Sequence, residues 1–487
     1  MQRIGPEQLT FVFAGRPKGG NQSEDNKGWL RRIADGKCPE NPNAEADPQN
    51  VGMLERVVSL PNMARALLNV ARNKGAPGVD GRSVDEVLLE ARALMPKLRR
   101  ELLEGNYCPG AIRRVWIPKP GGGERGLGIP NVIDRWVQQA FLQTMEPVFE
   151  KVFHGSSHGF RTDRSAHTAI KQAKGYVEEG YRVIVDMDIS KFFDRVNHQR
   201  LLNRLGQHIK DQRILRHINR MLKAKVVLPD GARMAVEEGT PQGGPLSPLL
   251  ANVVLDELDW ELERRGLRFV RYADDCNIYV RTPRAGNRVM ESIKRFIEGR
   301  LRLKLNDEKS SVTSPKTGNF LGFSLCVNMK GRIEIRPSEK SKKKIYARIK
   351  EMTPRTWGQS VRACMRELNS YLRGWEGYFD ICEGKGAALF EKVDAHLRRR
   401  LRMIIVKQKK KGRYLFRHLL KRGIEDKMAV RTAYSRKGYW AKSWMKGMHY
   451  AYPNSWFFGK LVSLLELWKE RHAEPKSALN GQYLLAF

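Results

Sequence analysis

Two consecutive aspartates, Asp274 and Asp275, stand between the apolar runs Leu267-Arg268-Phe269-Val270 and Ile278-Tyr279-Val280. The pattern predicts a β-hairpin with both carboxylates at its turn. Asp188 ends another apolar run, Arg182-Val183-Ile184-Val185, and so falls at a second strand end. Neighbouring carboxylates on a tight turn repel one another, and a divalent cation converts that repulsion into binding. Magnesium takes oxygen ligands and bridges substrate phosphates. Two such ions about 4 Å apart activate a hydroxyl nucleophile and stabilise the leaving oxygen in phosphoryl transfer. An Asp-Asp pair by itself is more often a solvated turn, and a strand-end Asp more often a cap. The rest of the chain decides between the two.

The balance of 89 Lys+Arg against 53 Asp+Glu leaves a formal charge of +36 over 487 residues. That excess repels itself in a compact state unless a polyanion neutralises it. Nucleic acid fits through phosphate contacts and counterion release. No apolar run reaches the roughly 18 residues that span a bilayer, so no membrane partner is expected. The opening Met1-Gln2-Arg3-Ile4-Gly5-Pro6 lacks the apolar core of a secretory signal. Six scattered cysteines without a Cys-x-x-Cys argue against zinc fingers and a disulfide framework, and favour a reducing cytoplasm. His154 and His158 have the spacing of a zinc helix, but Gly155-Ser156-Ser157 between them disfavour helix, and the spacing reads as accidental.

Residues 1–50, rich in Gly, Asn, Pro and charge, read as a flexible leader. Residues 51–110 read as a helical extension: Met63, Leu67, Leu68 and Ala71 share a helical face, and Ser83-Val84-Asp85-Glu86 resembles a capping box. Residues 111–335 mix strand-like and helical stretches, as in an α+β domain. From 336 to 425 the chain turns basic and helical. There Val361, Cys364, Met365, Leu368, Tyr371, Leu372, Trp375 and Tyr378 recur at three- and four-residue steps. The basic runs Lys342-Lys343-Lys344, Arg398-Arg399-Arg400 with Arg402, and Lys409-Lys410-Lys411 lie among tryptophans and tyrosines. A charge run is usually a solvated face; three in one helical region favour RNA contact.

Two glycine-rich segments complete the pattern. Gly121, Gly123 and Gly126 match a dinucleotide fingerprint literally, but the following Leu127-Gly128-Ile129-Pro130 is extended where that fingerprint needs a helix. A hairpin with Lys119 and Arg125 flanking its tip is the better reading, and the two cations suit a triphosphate. In Thr240-Pro241-Gln242-Gly243-Gly244-Pro245 the glycines and prolines fix a rigid loop that lets another backbone come close, and Gln242 offers a neutral amide.

Taken in order, Lys119 and Arg125, Asp188 with Phe192-Phe193, Pro241-Gln242-Gly243-Gly244 and Tyr272-Ala273-Asp274-Asp275 resemble the palm of reverse transcriptases. Within them the chain is similar to bacterial group II intron-encoded reverse transcriptase/maturases. The marks are Asn73-Lys74-Gly75-Ala76-Pro77-Gly78-Val79-Asp80-Gly81, Asp134-Arg135-Trp136-Val137-Gln138-Gln139, Ser157-His158-Gly159-Phe160-Arg161 and Arg373-Gly374-Trp375-Glu376-Gly377-Tyr378-Phe379. The resemblance implies an α+β right-hand polymerase, with fingers and palm on an antiparallel sheet, followed by an α-helical thumb/maturase domain. It implies two Mg2+ ions at Asp188, Asp274 and Asp275, with Ile189 counted among the metal-binding positions. Asp186, on the same strand face as Asp188, reads as structural or a weak helper. Lys119 and Arg125 would grip the incoming deoxynucleotide triphosphate, Gln242 would steady nucleotide and template, and Phe193 would close off the sugar 2′ side. Phe320-Leu321-Gly322-Phe323 resembles the primer-grip turn, and Lys309 lies where a palm lysine acts near phosphates.

The partners implied are a group II intron RNA, target DNA and a primer–template duplex, in splicing and retrohoming of a mobile element. Residues 426–487, with Trp440, Trp444, Trp456, Phe457 and Phe458, read either as a short basic DNA-binding extension without an HNH endonuclease or as a cap on the thumb. The first matches the endonuclease-lacking, group IIC-like branch. Two alternatives stay open: a domesticated relative in phage defence or DNA repair, and an RNA-binding splicing factor whose polymerase is dispensable.

Overall fold

The computed structural model describes residues 20–36, 52–118, 122–354 and 358–473. The chain forms two compact units, each assembled from two stretches: residues 1–169 with 185–312, and residues 170–184 with 313–487. This division is interleaved along the chain, where the sequence suggests linear segments. Ten strands run through the described residues: β1 (Ile112–Pro118), β2 (Glu124–Ile129), β3 (Val183–Asp188), β4 (Val226–Val227), β5 (Arg233–Met234), β6 (Arg268–Tyr272), β7 (Asp275–Val280), β8 (Ser311–Thr313), β9 (Phe323–Val327) and β10 (Ile333–Pro337). They build two four-stranded sheets, ordered β2-β1-β4-β5 and β6-β7-β3-β8, and a β9–β10 ribbon.

In the first unit the helix Val132–Glu150 is the central support, burying Trp136, Val137, Ala140, Phe141, Met145 and Phe149. Helix Leu60–Arg72 lies against it, and the indole of Trp136 donates to the Met63 carbonyl at 2.8 Å. Its buried face is centred on Met63, Ala66, Leu67 and Val70. The capping box is present, with Ser83 N donating to Glu86 at 2.7 Å and Glu86 N to Ser83 Oγ at 3.3 Å; such a cap is worth about 1 kcal/mol. The leader is corrected in part. Residues 20–34 form a helix packed on Leu60–Arg72, with Leu30 and Ile33 buried and the Asn26 amide donating to the Leu88 and Leu89 carbonyls. A few apolar residues at helical spacing suffice here, although the composition of the whole stretch is that of a loop. The remainder of the leader lies outside the described residues.

In the second unit, helix Val361–Phe379 buries Cys364, Met365, Leu368, Leu372 and Phe379, the amphipathic face expected from its spacing. Helix Ala388–Gln408 carries the longest apolar face, from Leu389 to Val406. Helix Leu464–His472 docks on both. Buried Asp394 receives the Leu464 and Leu465 amides and the Ser463 hydroxyl, at 3.0, 3.2 and 2.7 Å. The Trp468 indole donates to the Asp380 and Cys382 carbonyls, and Arg471 pairs with Glu376 and Asp380. No helix among the described residues is long and apolar enough to cross a membrane.

Candidate active site

The β6–β7 hairpin is joined by two residues, because Tyr272 pairs with Asp275 and leaves only Ala273 and Asp274 in the turn. A two-residue hairpin turn needs positive φ at its first central residue. Ala273 supplies it at φ +56°, a conformation that costs an alanine about 1 kcal/mol. The turn is held from behind. The Arg271 guanidinium, fully buried, donates from Nη1 to the Ala273 carbonyl at 2.9 Å and to Asn252 at 2.8 Å. Its Nε and Nη2 meet Asp259 at 2.7 and 2.6 Å, and Nη2 also reaches Ser157 Oγ at 2.7 Å. The expected motif Ser157-His158-Gly159 contributes again: His158 N donates to the Arg271 carbonyl, and the Gly159 carbonyl accepts from Asn252 at 2.8 Å. A Cβ on Gly159 would lie 2.3 Å from the Ala273 nitrogen, so only glycine fits beneath the turn.

Strand β3 lies next to β7, which brings Asp186 and Asp188 to the same end of the sheet as Asp274 and Asp275. Burial pushes the Asp275 carboxyl well above the usual carboxylate range, and the charges of Asp186, Asp274 and Asp188 add to it in that order. Burial and the Asp188 charge push Asp186 up to about 6. Asp186 therefore belongs to the acidic cluster, a role that strand alternation alone had left in the background. The Lys309 ammonium stands 3.5 Å from Asp188, and both are exposed enough that this pair contributes little. Ile189 is buried and bridges to Leu305, so only its backbone carbonyl is available as a ligand.

Among the described residues no three His, Cys, Asp or Glu side chains are arranged to hold a metal ion by themselves. An open site is what magnesium uses, with one or two carboxylates completed by water and substrate phosphates. Carboxylates gathered at one end of a sheet, two of them raised by burial and by their neighbours' charge, suit such a cation. Asp188, Asp274 and Asp275, with Asp186 behind them, are the residues present to hold it.

The glycine hairpin forms as β1–β2, with Ile117 opposite Arg125. Lys119 lies outside the described residues. Arg125 Nε donates to the Gln242 side-chain oxygen at 2.9 Å, which joins directly two of the residues expected to bind nucleotide. The Gln242 carbonyl accepts from Gly128 N, and Gly243, at φ +135°, would place a Cβ 2.3 Å from the Gly128 oxygen. The glycine loop thus permits the close backbone approach expected of it. Phe193 is half-buried and its carbonyl accepts from Thr240 N at 2.6 Å, while neighbouring Phe192 is core at 2% exposure. The two rings meet edge to face at 5.2 Å. Arg125, Gln242 and Phe193 are therefore linked through one loop.

In the second unit the turn Phe320–Phe323 carries positive φ at Leu321 and Gly322, and the Tyr378 hydroxyl donates to the Leu321 carbonyl at 2.9 Å. The basic runs separate. Lys343, Lys344, Lys410 and Lys411 are exposed, Lys409 and Arg398 half-buried, and Lys342 pairs with Glu339 at 2.7 Å. Arg402 as an RNA contact is corrected: it is 2% exposed, and its guanidinium donates to the Tyr452 carbonyl at 2.9 and 2.7 Å. Burial brings its pKa down to about 10. Arg399 stacks over Trp440 and Trp444, with its Cζ 3.9 and 4.9 Å from the ring centres. Arg400 donates to Thr353 Oγ1 at 2.8 Å and to the Lys350 carbonyl at 3.2 Å. Successive residues on a helix point about 100° apart, so a run of arginines on a helix buried along one side cannot all face solvent. Those that turn inward hold residues 426–473 against the helical unit. In that stretch Tyr452 and Phe457 are buried, whereas Trp444, Tyr450 and Phe458 are exposed.

The imidazoles of His154 and His158 each have other partners: His154 pairs with Glu263 at 3.3 Å, and His158 Nδ1 meets Thr168 at 2.8 Å.

Comparison with known proteins matches residues 117–325 to the reverse transcriptase (RNA-dependent DNA polymerase) family and residues 342–423 to the group II intron maturase-specific domain. Protein YkfC of Escherichia coli is 35% identical over 327 residues, covering 58% of this chain and 85% of that protein. The group II intron-encoded protein LtrA of Lactococcus lactis is 31% identical over 337 residues, 55% of each chain. A putative COX1/OXI3 intron 2 protein of Saccharomyces cerevisiae is 25% identical over 439 residues, 76% of this chain and 51% of that one. The chain thus spans about half the length of the latter two.

Proposed function

We infer the activity of this chain from its family and its site: it belongs to the reverse transcriptases that carry a group II intron maturase-specific domain. The reaction is template-directed addition of deoxynucleotides to a primer 3′-hydroxyl, on an RNA template. The observation that supports it most is the meeting of Asp186 and Asp188 on β3 with Asp275 on the neighbouring β7 and Asp274 in the turn before it, where burial and the neighbouring carboxylates raise Asp275 and Asp186. Bound magnesium, two ions in this reading, would lower the pKa of the primer hydroxyl and neutralise charge on the triphosphate. Asp188, Asp274 and Asp275 would hold them, with the Ile189 carbonyl as a further oxygen. Arg125, oriented by Gln242, offers its remaining N–H groups to the triphosphate, together with Lys119. Phe193, half-buried beside the loop that holds Gln242, would reject a sugar 2′-hydroxyl by clash.

The helical unit would bind intron RNA through Lys343, Lys344, Lys410 and Lys411, by phosphate contact and shape, and so assist splicing. The exposed Trp444, Tyr450 and Phe458 would meet target DNA, and copying the RNA at that DNA completes retrohoming. Primer extension on RNA and DNA templates, with and without Mg2+, tests the reading. Metal-dependent extension on RNA is expected; its absence in protein that still binds RNA would leave only a splicing factor.

A further inference from the structure

Phe160 is 57% exposed, and it adopts φ +56°, which for a bulky residue is a genuine outlier. Residues on both sides are pinned. The Gly159 carbonyl accepts from buried Asn252, and Gly159 lies directly beneath Ala273 of the carboxylate turn. On the other side the Arg161 guanidinium meets Glu150 at 2.9 and 2.6 Å and also donates to the His154 and Ser157 carbonyls. The strain therefore falls on Phe160 between them, and burial of its ring does not repay it. The ring stands 6.4 Å from that of Tyr272, the residue before the turn. An isolated exposed apolar side chain needs no explanation. One held in a disfavoured backbone conformation against the carboxylate-bearing turn does, because strain of this kind collects at ligand-binding sites.

We propose that Phe160 is a binding residue for the primer–template duplex, offering an apolar face to the sugars and base edges at the end where the primer hydroxyl meets Asp274 and Asp275. An aromatic face is tolerant of sequence and, unlike a lysine, adds no counterion release. This suits a polymerase that must accept every base pair at that position. The proposal rests on the polymerase reading only for the identity of its ligand.

Binding of a fluorescein-labelled RNA–DNA primer–template by the full chain, read by anisotropy without nucleotide, tests it. Phe160→Ala is expected to weaken binding about tenfold, with the slope of log Kd against log salt unchanged. Phe160→Trp should bind within about threefold of the parent. Phe160→Gly, which relieves the backbone, should bind as weakly as the alanine variant yet melt at a higher temperature. Parent-like binding by either the alanine or the glycine variant overturns the proposal, leaving Phe160 as a strained turn residue. Because no chemistry is read, weakened binding in a chain that fails to extend primers would sustain this inference and sink the polymerase reading. Parent-like binding of the variants in a chain that extends primers would do the reverse.

Discussion

Arg271 and Asp259 meet as a two-point fork, at 2.7 and 2.6 Å, with neither side chain reaching solvent. A buried ion pair is weak evidence of stability as a whole, but removing one partner leaves an uncompensated charge in a dry environment. Asp259→Asn is therefore expected to lower unfolding free energy by about 3–5 kcal/mol in urea titration. Replacing both residues by apolar ones of similar volume should recover much of the loss. Equal losses in the single and double variants would show that the pair is not the source.

The carboxylates of the turn carry a separate expectation. In the proposed reaction Asp274→Asn removes a metal oxygen without removing volume, and should cut primer extension by at least 10²–10³-fold, on the order of losing one strong transition-state contact. Affinity for RNA should stay within about twofold. Extension that persists would remove Asp274 from the metal site.

Acidity bears on the same cluster. Burial and the Asp188 charge push Asp186 up to about 6, and burial raises Asp275 as well, both above an unfolded carboxyl near 4. The folded state thus binds these protons more tightly than the unfolded one. Without metal, stability falls as pH rises from about 4 to beyond 6 and the cluster ionises. Protons and magnesium compete for the same oxygens, so half-saturating Mg2+ in primer extension should rise steeply as pH falls from 8 to 5.5. Added Mg2+ should raise the melting temperature at pH 8 and have little effect at pH 5.5. A magnesium requirement that is flat with pH would contradict this coupling.

The basic residues of the helical unit divide by what they touch. Arg402→Ala removes the donors to the Tyr452 carbonyl and should destabilise the protein by about 1–3 kcal/mol, with the salt slope of RNA binding unchanged. Lys410→Gln with Lys411→Gln should leave melting unchanged and flatten that slope by up to about 2. The opposite pattern would reverse the assignment.

Much of the site was legible because strand ends, glycine loops and their order along the chain are local features. The β6–β7 hairpin, the β1–β2 hairpin, the Ser83–Glu86 capping box and the helix Val361–Phe379 follow from spacing alone. What escaped depends on contacts distant in sequence. Asp186 joins the cluster only because β3 lies beside β7. Nothing local in the sequence marks Arg271, on which Asp259, Asn252 and Ser157 converge from distant positions. Arg399, Arg400 and Arg402 form one basic run in sequence, and only long-range packing directs them to Trp440, Thr353 and Tyr452 respectively.

The docking of helix Leu464–His472 on Asp394, Glu376 and Asp380 also sets a timetable for synthesis. The ribosome makes Glu376 and Asp394 long before Ser463 and Arg471, the groups that satisfy them, have emerged. Until then the helices Val361–Phe379 and Ala388–Gln408 hold acidic groups and apolar surface without their cover. The nascent chain is thus exposed to aggregation and proteolysis while residues 395–471 are being made. Truncations ending before Leu464 should accumulate poorly, even though they contain every residue of the carboxylate cluster.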